Sequence, residues 1–153
     1  DAADVGLVYG GGGIGLMGAA AKACHAAGGR VFGVMPNFLS RREVLYDEVE
    51  TVVVQSMHER KTLMYDAADS YVVMPGGIGT LEEIVELLSW RRLELHAKPI
   101  VFVNLKGFWT PFFDLIAHTV VERFTPDWVP TVWRSVDRVE DILPALQSWP
   151  KAA

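Results

Sequence analysis

Val5-Gly6-Leu7-Val8-Tyr9-Gly10-Gly11-Gly12-Gly13-Ile14-Gly15-Leu16-Met17-Gly18 reads as an apolar strand, a glycine loop and the opening turn of a helix rich in small residues. A second stretch has the same grammar: Tyr71-Val72-Val73-Met74 runs into Pro75-Gly76-Gly77-Ile78-Gly79 and a helix beginning near Thr80. Between and beyond them, strand-like and helix-like patterns alternate. A helix over about 14–27 is ended by Gly28-Gly29, and strands follow at Val31 to Met35 and Val52 to Val54. Helices are expected over about 56–68, 80–95, 112–124 and 139–149, with strands at 100–103 and near 132–136. Continuous Val/Ile/Leu runs alternating with helices predict an α/β protein, with a Rossmann-like doubly wound, mostly parallel sheet carrying helices on both faces.

The 153 residues, half of them apolar, suit a single domain spanning 1–153, with no repeat, low-complexity tract or linker. A net charge of −5 supplies no electrostatic footprint for nucleic acid or for an anionic membrane, so any phosphate must be held by a local site. One cysteine, Cys24, allows no disulfide framework, and the four histidines show no shared metal-ligand spacing. No apolar run reaches the roughly 18 residues needed to cross a bilayer, and the expected setting is the cytoplasm.

Each glycine loop lies between a strand and a helix, which directs free helix N-terminal amides toward the carboxyl edge of the sheet. There the positive end of the helix dipole favours an anion, and glycine lets it approach the backbone. The first loop satisfies G-x-G-x-x-G, but the next strand ends in Val34-Met35-Pro36-Asn37, without the acid that would hold a dinucleotide ribose. NAD is therefore disfavoured, and the missing G-K-[ST] excludes a triphosphate cradle. Glycines used only for tight backbone packing are the alternative.

Charged residues also interrupt the core pattern. On the helix after Ser56, Met57, Leu63, Met64, Ala67 and Ala68 form an apolar arc with Arg60 at its centre and Lys61 at its edge. An arginine there needs an oxyanion or a carboxylate, or it snorkels to water. The helix from Thr80 has Leu81, Ile84, Val85 and Leu88 facing the sheet, while Leu87, Trp90 and Leu93 form a second apolar side shared with Glu83 and Glu86. A second copy of the chain would cover that side, giving a homodimer with the site near its seam. Thr80 and Glu83 also have the spacing of a capping box, which leaves Glu83 open between cap and catalyst.

These motifs together make a specific match. Gly10 to Gly18 resembles the G-G-G-x-x-G-L-M-G loop of the LONELY GUY (LOG) family, Met57 to Lys61 its M-H-x-R-K segment, and Pro75 to Glu83 its P-G-G-x-G-T-x-x-E signature. Trp90 to Pro99 is similar to the segment that follows, so the likeness covers about 9–125. The resemblance implies hydrolysis of the N-glycosidic bond of cytokinin riboside 5′-monophosphates or AMP, giving free base and ribose 5-phosphate, with no cofactor and no metal. It implies Arg60 and Glu83 as catalytic residues. It also implies Gly12, Gly13, Glu43, Lys61, Gly76, Gly77, Ile78, Gly79, Thr80, Leu81 and Glu82 around the substrate, with Glu82 the fallback for Glu83. The older label of possible lysine decarboxylase would need a pyridoxal-phosphate lysine, for which the sequence shows no pattern. Family members generally open with a further strand and helix before the segment matching Asp4 to Gly13, and the expectation is that this stretch lacks that unit. A non-catalytic carrier of a phosphorylated ligand, like the molybdenum-cofactor carrier proteins, is the alternative reading.

Overall fold

The computed structural model describes residues 4–40 and 44–150, and they form an α/β structure of two compact units, 1–68 and 69–153. All the strand pairs are parallel, in the Rossmann-like doubly wound manner, with helical crossovers except between β2 and β3, where no helix lies among the described residues.

In the amino-terminal unit, β1 (Leu7–Tyr9) leads through α1 (Gly15–Ala26) to β2 (Val31–Pro36), then to β3 (Glu50–Val54) and α2 (Met57–Ala67). The sheet order is β1-β2-β3, with Val8 opposite Phe32 and Val34 opposite Val52. Central β2 is buried from Gly33 to Pro36, as a strand covered on both sides must be. Gly28 ends α1 with φ +79, the left-handed conformation that glycine adopts without a Cβ penalty. Its N–H donates to His25 O at 2.9 Å and that of Gly29 to Cys24 O at 2.9 Å, which completes a Schellman cap. The Gly28-Gly29 stop signal thus has its physical cause in two otherwise orphaned carbonyls.

The carboxy-terminal unit runs β4 (Tyr71–Val73), α3 (Ile78–Arg92), β5 (Ile100–Val103), α4 (Thr110–Val121), β6 (Arg134–Val136) and α5 (Ile142–Gln147). Its sheet order is β4-β5-β6. All four residues of β5 are fully buried. Phe102 packs edge-on against Trp109 and Phe113, with ring centroids 5.5 and 5.2 Å away, and stacks on Phe112 at 5.8 Å. The helix expected over 139–149 begins as a 3-10 turn at Val139–Asp141 and becomes α-helical only at Ile142. Two helices here close with the same Schellman pattern without glycine: Glu94 after α3 and Arg123 after α4 have φ of +60 and +64. Sequence rules that look for glycine at such positions therefore place these ends late, at 95 and 124 rather than 92 and 121.

His96 ties the end of α3 to β4. Its Nε2–H donates to Leu87 O at 3.0 Å, its ring packs edge-on against Tyr71, and its Nδ1 is buried without a partner. Burial lowers its pKa from the ordinary 6.5, opposed by the Leu87 bond and reinforced by Arg91 and Lys98. The neutral ring is the folded form, since protonating Nδ1 would leave a buried donor unpaired. With the folded pKa depressed, the unfolded chain binds more protons in the window just below 6.5. The contribution of His96 is complete above that value and is lost as pH falls through the window. In urea unfolding between about pH 7 and 5, stability should fall more steeply for the wild-type chain than for a His96→Gln variant. Equal slopes would mean that His96 titrates alike folded and unfolded.

Candidate functional site

Arg60 is 5% exposed on the inner face of α2, beside Lys61 at 7% and Tyr65 at 8%. That face is rotated by about one residue step from the arc read in the sequence. Leu63 and Met64 are half-buried and Ala67 is exposed, whereas Lys61 moves from the edge to the inside. A Ser56 side chain accepting from Glu59 N at 3.1 Å, and a Glu59 carboxylate accepting from Gln55 N at 2.8 Å, hold the start of α2. The signal for this box, S-x-x-E at 56–59, was present in the sequence but unused.

The Arg60 guanidinium reaches the end of β1. Its Nη2 donates to Gly10 O at 3.2 Å, its Nη1 lies 3.9 Å from Met57 Sδ, and its Nε is buried without a partner. A Cβ at position 10 would overlap Nη2, so this approach of the guanidinium suits glycine there. Among the described residues Arg60 has no acidic partner. Glu43, the acid expected to contact the nucleotide, lies outside the described residues.

The rest of the first loop is strapped from one side. Gly12 forms an antiparallel bridge with Leu45, Gly13 N–H donates to Val44 O at 2.8 Å, and Tyr46 N–H to Gly11 O at 3.3 Å. Lys22 donates to Gly13 O at 3.2 Å while lying over the Tyr46 ring. The amide of Gly13 is thus engaged, and the open donors belong to the first turn of α1. That helix has Ile14 as N-cap, no side-chain cap and no acidic residue in its first turn. Sequence reasoning missed this strap, since 44–46 carries no motif.

In the carboxy-terminal unit, β4 passes through Pro75 and Gly76 to Gly77, the N-cap of α3. Helix α3 starts two residues earlier than the sequence suggested, with Ile78, Gly79 and Thr80 as its first turn. Thr80 therefore cannot cap; its side chain folds back over Gly76, where a Cβ would overlap it. No side chain caps α3 and no carboxylate occupies its first turn. Ile78 is 84% exposed, Gly77 and Gly79 are exposed, and Leu81 is half-buried. Glu82 is exposed and Glu83 half-buried, both inside the helix, so the Thr80–Glu83 capping box does not form. The helices that follow the two glycine loops are both left open at their N-termini, whereas α2 is closed by its own side chains. Open ends of this kind stabilise anions.

A family model described as possible lysine decarboxylase matches residues 17–146. The rice (Oryza sativa subsp. japonica) protein cytokinin riboside 5′-monophosphate phosphoribohydrolase LOG is 42% identical over 146 residues, which are 90% of this chain and 60% of that protein. Arabidopsis thaliana cytokinin riboside 5′-monophosphate phosphoribohydrolase LOG2 is 35% identical over 147 residues, 95% of this chain and 69% of its own length. The chain belongs to the LOG family. It spans about three-fifths of the rice LOG protein that it matches. The LOG-type motifs fall where the geometry is most constrained: the arginine against a bare carbonyl, and the glycines at an uncapped helix.

A double-mutant cycle tests that constraint. Gly10→Ala should destabilise the chain by about 1–3 kcal/mol in urea unfolding, through displacement of the buried guanidinium. In an Arg60→Ala background the same change should cost within about 0.5 kcal/mol of nothing. Equal costs in both backgrounds would show that Gly10 is needed for another reason.

Proposed function

We propose that this protein hydrolyses the N-glycosidic bond of cytokinin riboside 5′-monophosphates, of AMP, or of both, releasing the free base and ribose 5-phosphate. The observation that carries the reading is the open N-terminus of α3 after Pro75-Gly76-Gly77, with Glu83 one turn further on along the same helix. The names of the LOG relatives support it.

In this reading the amides of Ile78, Gly79 and Thr80 bind the phosphate, with Gly76, Gly77, Leu81 and Glu82 lining the same loop; Gly12, Gly13, Glu43 and Lys61 are substrate-binding residues on the LOG resemblance alone. Arg60 positions the ribose phosphate. Glu83 orients a water for attack on C1′ and offsets the positive charge that develops on the sugar as the C1′–N bond breaks. The base departs with the bonding electrons and takes up a proton, while the water oxygen becomes the new substituent at C1′.

Glu83→Gln should keep its folding midpoint and its AMP affinity while losing about 10²–10³-fold in base release, followed by chromatography of free adenine and isopentenyladenine. Near-normal turnover would remove Glu83 from the chemistry. Nucleotide binding without release by the wild-type protein would instead favour a carrier.

We also propose a homodimer using the outer side of α3. That side differs from the expected one, because Leu87 is 2% exposed while Val85 is 54% exposed. Leu93 and Leu95 continue the exposed apolar surface at 54% and 68%. Sedimentation velocity should find a dimer that Val85→Glu dissociates; a monomeric wild-type chain at high concentration would refute it.

A further inference from the structure

The carboxy-terminal unit contains a cleft of about 450 Å³ that none of the glycine loops touches. It is lined by Arg91 at the end of α3, Ala97 ahead of β5, Trp128 and Val132 from the segment before β6, Arg134 at the start of β6, and Trp149 after α5. Pro75 to Gly77 follow the carboxyl end of β4, whereas Ala97 and Arg134 sit at the amino ends of β5 and β6. In a parallel sheet these are opposite edges.

Both arginines are held in place by backbone. Arg134 Nη1 donates to Ala145 O and Ser148 Oγ, each at 2.8 Å, and Nη2 donates to Ser148 O at 3.3 Å. Its guanidinium lies over the Trp149 ring, 4.7 Å from the centroid. Arg91 Nη1 donates to His96 O at 3.1 Å. These bonds leave donors over. Of the five N–H groups of a guanidinium, Arg134 still has its Nε–H and one Nη2–H. Neither arginine has a carboxylate partner among the described residues, although the chain as a whole carries a net charge of −5. Two fixed, uncompensated guanidiniums in one cleft of an acidic protein form a site arranged for an anion.

The remaining walls are apolar and aromatic. Trp128 is 39% exposed and Val132 is buried, and Trp149 is half-buried beneath the Arg134 guanidinium. The volume suits a small molecule. We propose that this cleft is a second ligand site, separate from the glycine loops, for a small aromatic anion. Its phosphate or carboxylate meets the free donors of Arg91 and Arg134, and its ring lies against the exposed Trp128. A bare inorganic ion would satisfy the arginines and leave the Trp128 indole uncovered, so ring and charge together define the ligand class.

Isothermal titration with phenyl phosphate tests this, using inorganic phosphate and phenol as the half-ligands. Phenyl phosphate should bind saturably, about tenfold or more tightly than either half, with affinity reduced about tenfold by Arg91→Gln and by Trp128→Ala. Trp128 is partly exposed, so its variant stays informative if loss of the Arg91–His96 bond disturbs folding, which circular dichroism would reveal. The titration is run in excess ribose 5-phosphate, which on the proposed function occupies the glycine loops, so that Arg60→Gln and Glu83→Gln should leave the remaining phenyl phosphate binding unchanged. The proposal is overturned by an absence of binding up to about 10 mM, by binding that survives both cleft variants, or by binding lost only in the glycine-loop variants. Inorganic phosphate binding as tightly as phenyl phosphate would overturn the aromatic half of it.

Discussion

A buried guanidinium resting on a glycine carbonyl organises the amino-terminal unit. The guanidinium of Arg60 takes this position against a glycine with no side chain, and the Nη2 bond to Gly10 O joins α2 to the end of β1. Taking a cation out of water costs several kcal/mol unless hydrogen bonds and counter-charge compensate, and here the compensation among the described residues is incomplete, with Nε left unpaired. Fold stability alone would favour an apolar residue at this point. On the proposed function, the phosphate of the nucleotide supplies counter-charge to this arginine.

Helix ends express the same division of labour. Helix α2 is closed by Ser56 and Glu59, which spend local side chains on its first amides. Helices α1 and α3 have neither a side-chain cap nor a first-turn acid. Capping is worth about 1 kcal/mol per helix; α4 also lacks a side-chain cap and a first-turn acid, but α1 and α3 are the ones that follow the two glycine loops. The strap at 44–46 restricts the first loop by engaging the Gly13 amide, so the two loops are not chemical equivalents.

Much of this was legible in the sequence because the signals were local. The apolar run at 100–103 gave β5 to the residue, and the Gly28-Gly29 pair marked the end of α1 through a backbone conformation that few other residues tolerate. Arg60 stood out against an apolar arc and proved buried. What escaped were features settled by tertiary contact. Lys61 and Tyr65 replaced Leu63 and Ala67 on the inner face of α2, and Leu87 turned inward while Val85 turned out, because short helices rotate to suit their sheet rather than their hydropathy. Glu94 and Arg123 took left-handed conformations without glycine, which composition cannot announce. The start of α3 at Ile78 removed the cap that Thr80 and Glu83 suggested; in that case a glycine N-cap overrode a side-chain motif.

The open end of α3 also bears on the order in which products depart. On the proposed chemistry, cleavage at C1′ leaves the phosphate untouched, so the amides of Ile78, Gly79 and Thr80 hold ribose 5-phosphate as they held the nucleotide. The freed base has no such anchor. The base therefore leaves first, and the sugar phosphate lingers at the helix end as a competitor of the next substrate, setting the pace of turnover wherever its concentration builds up.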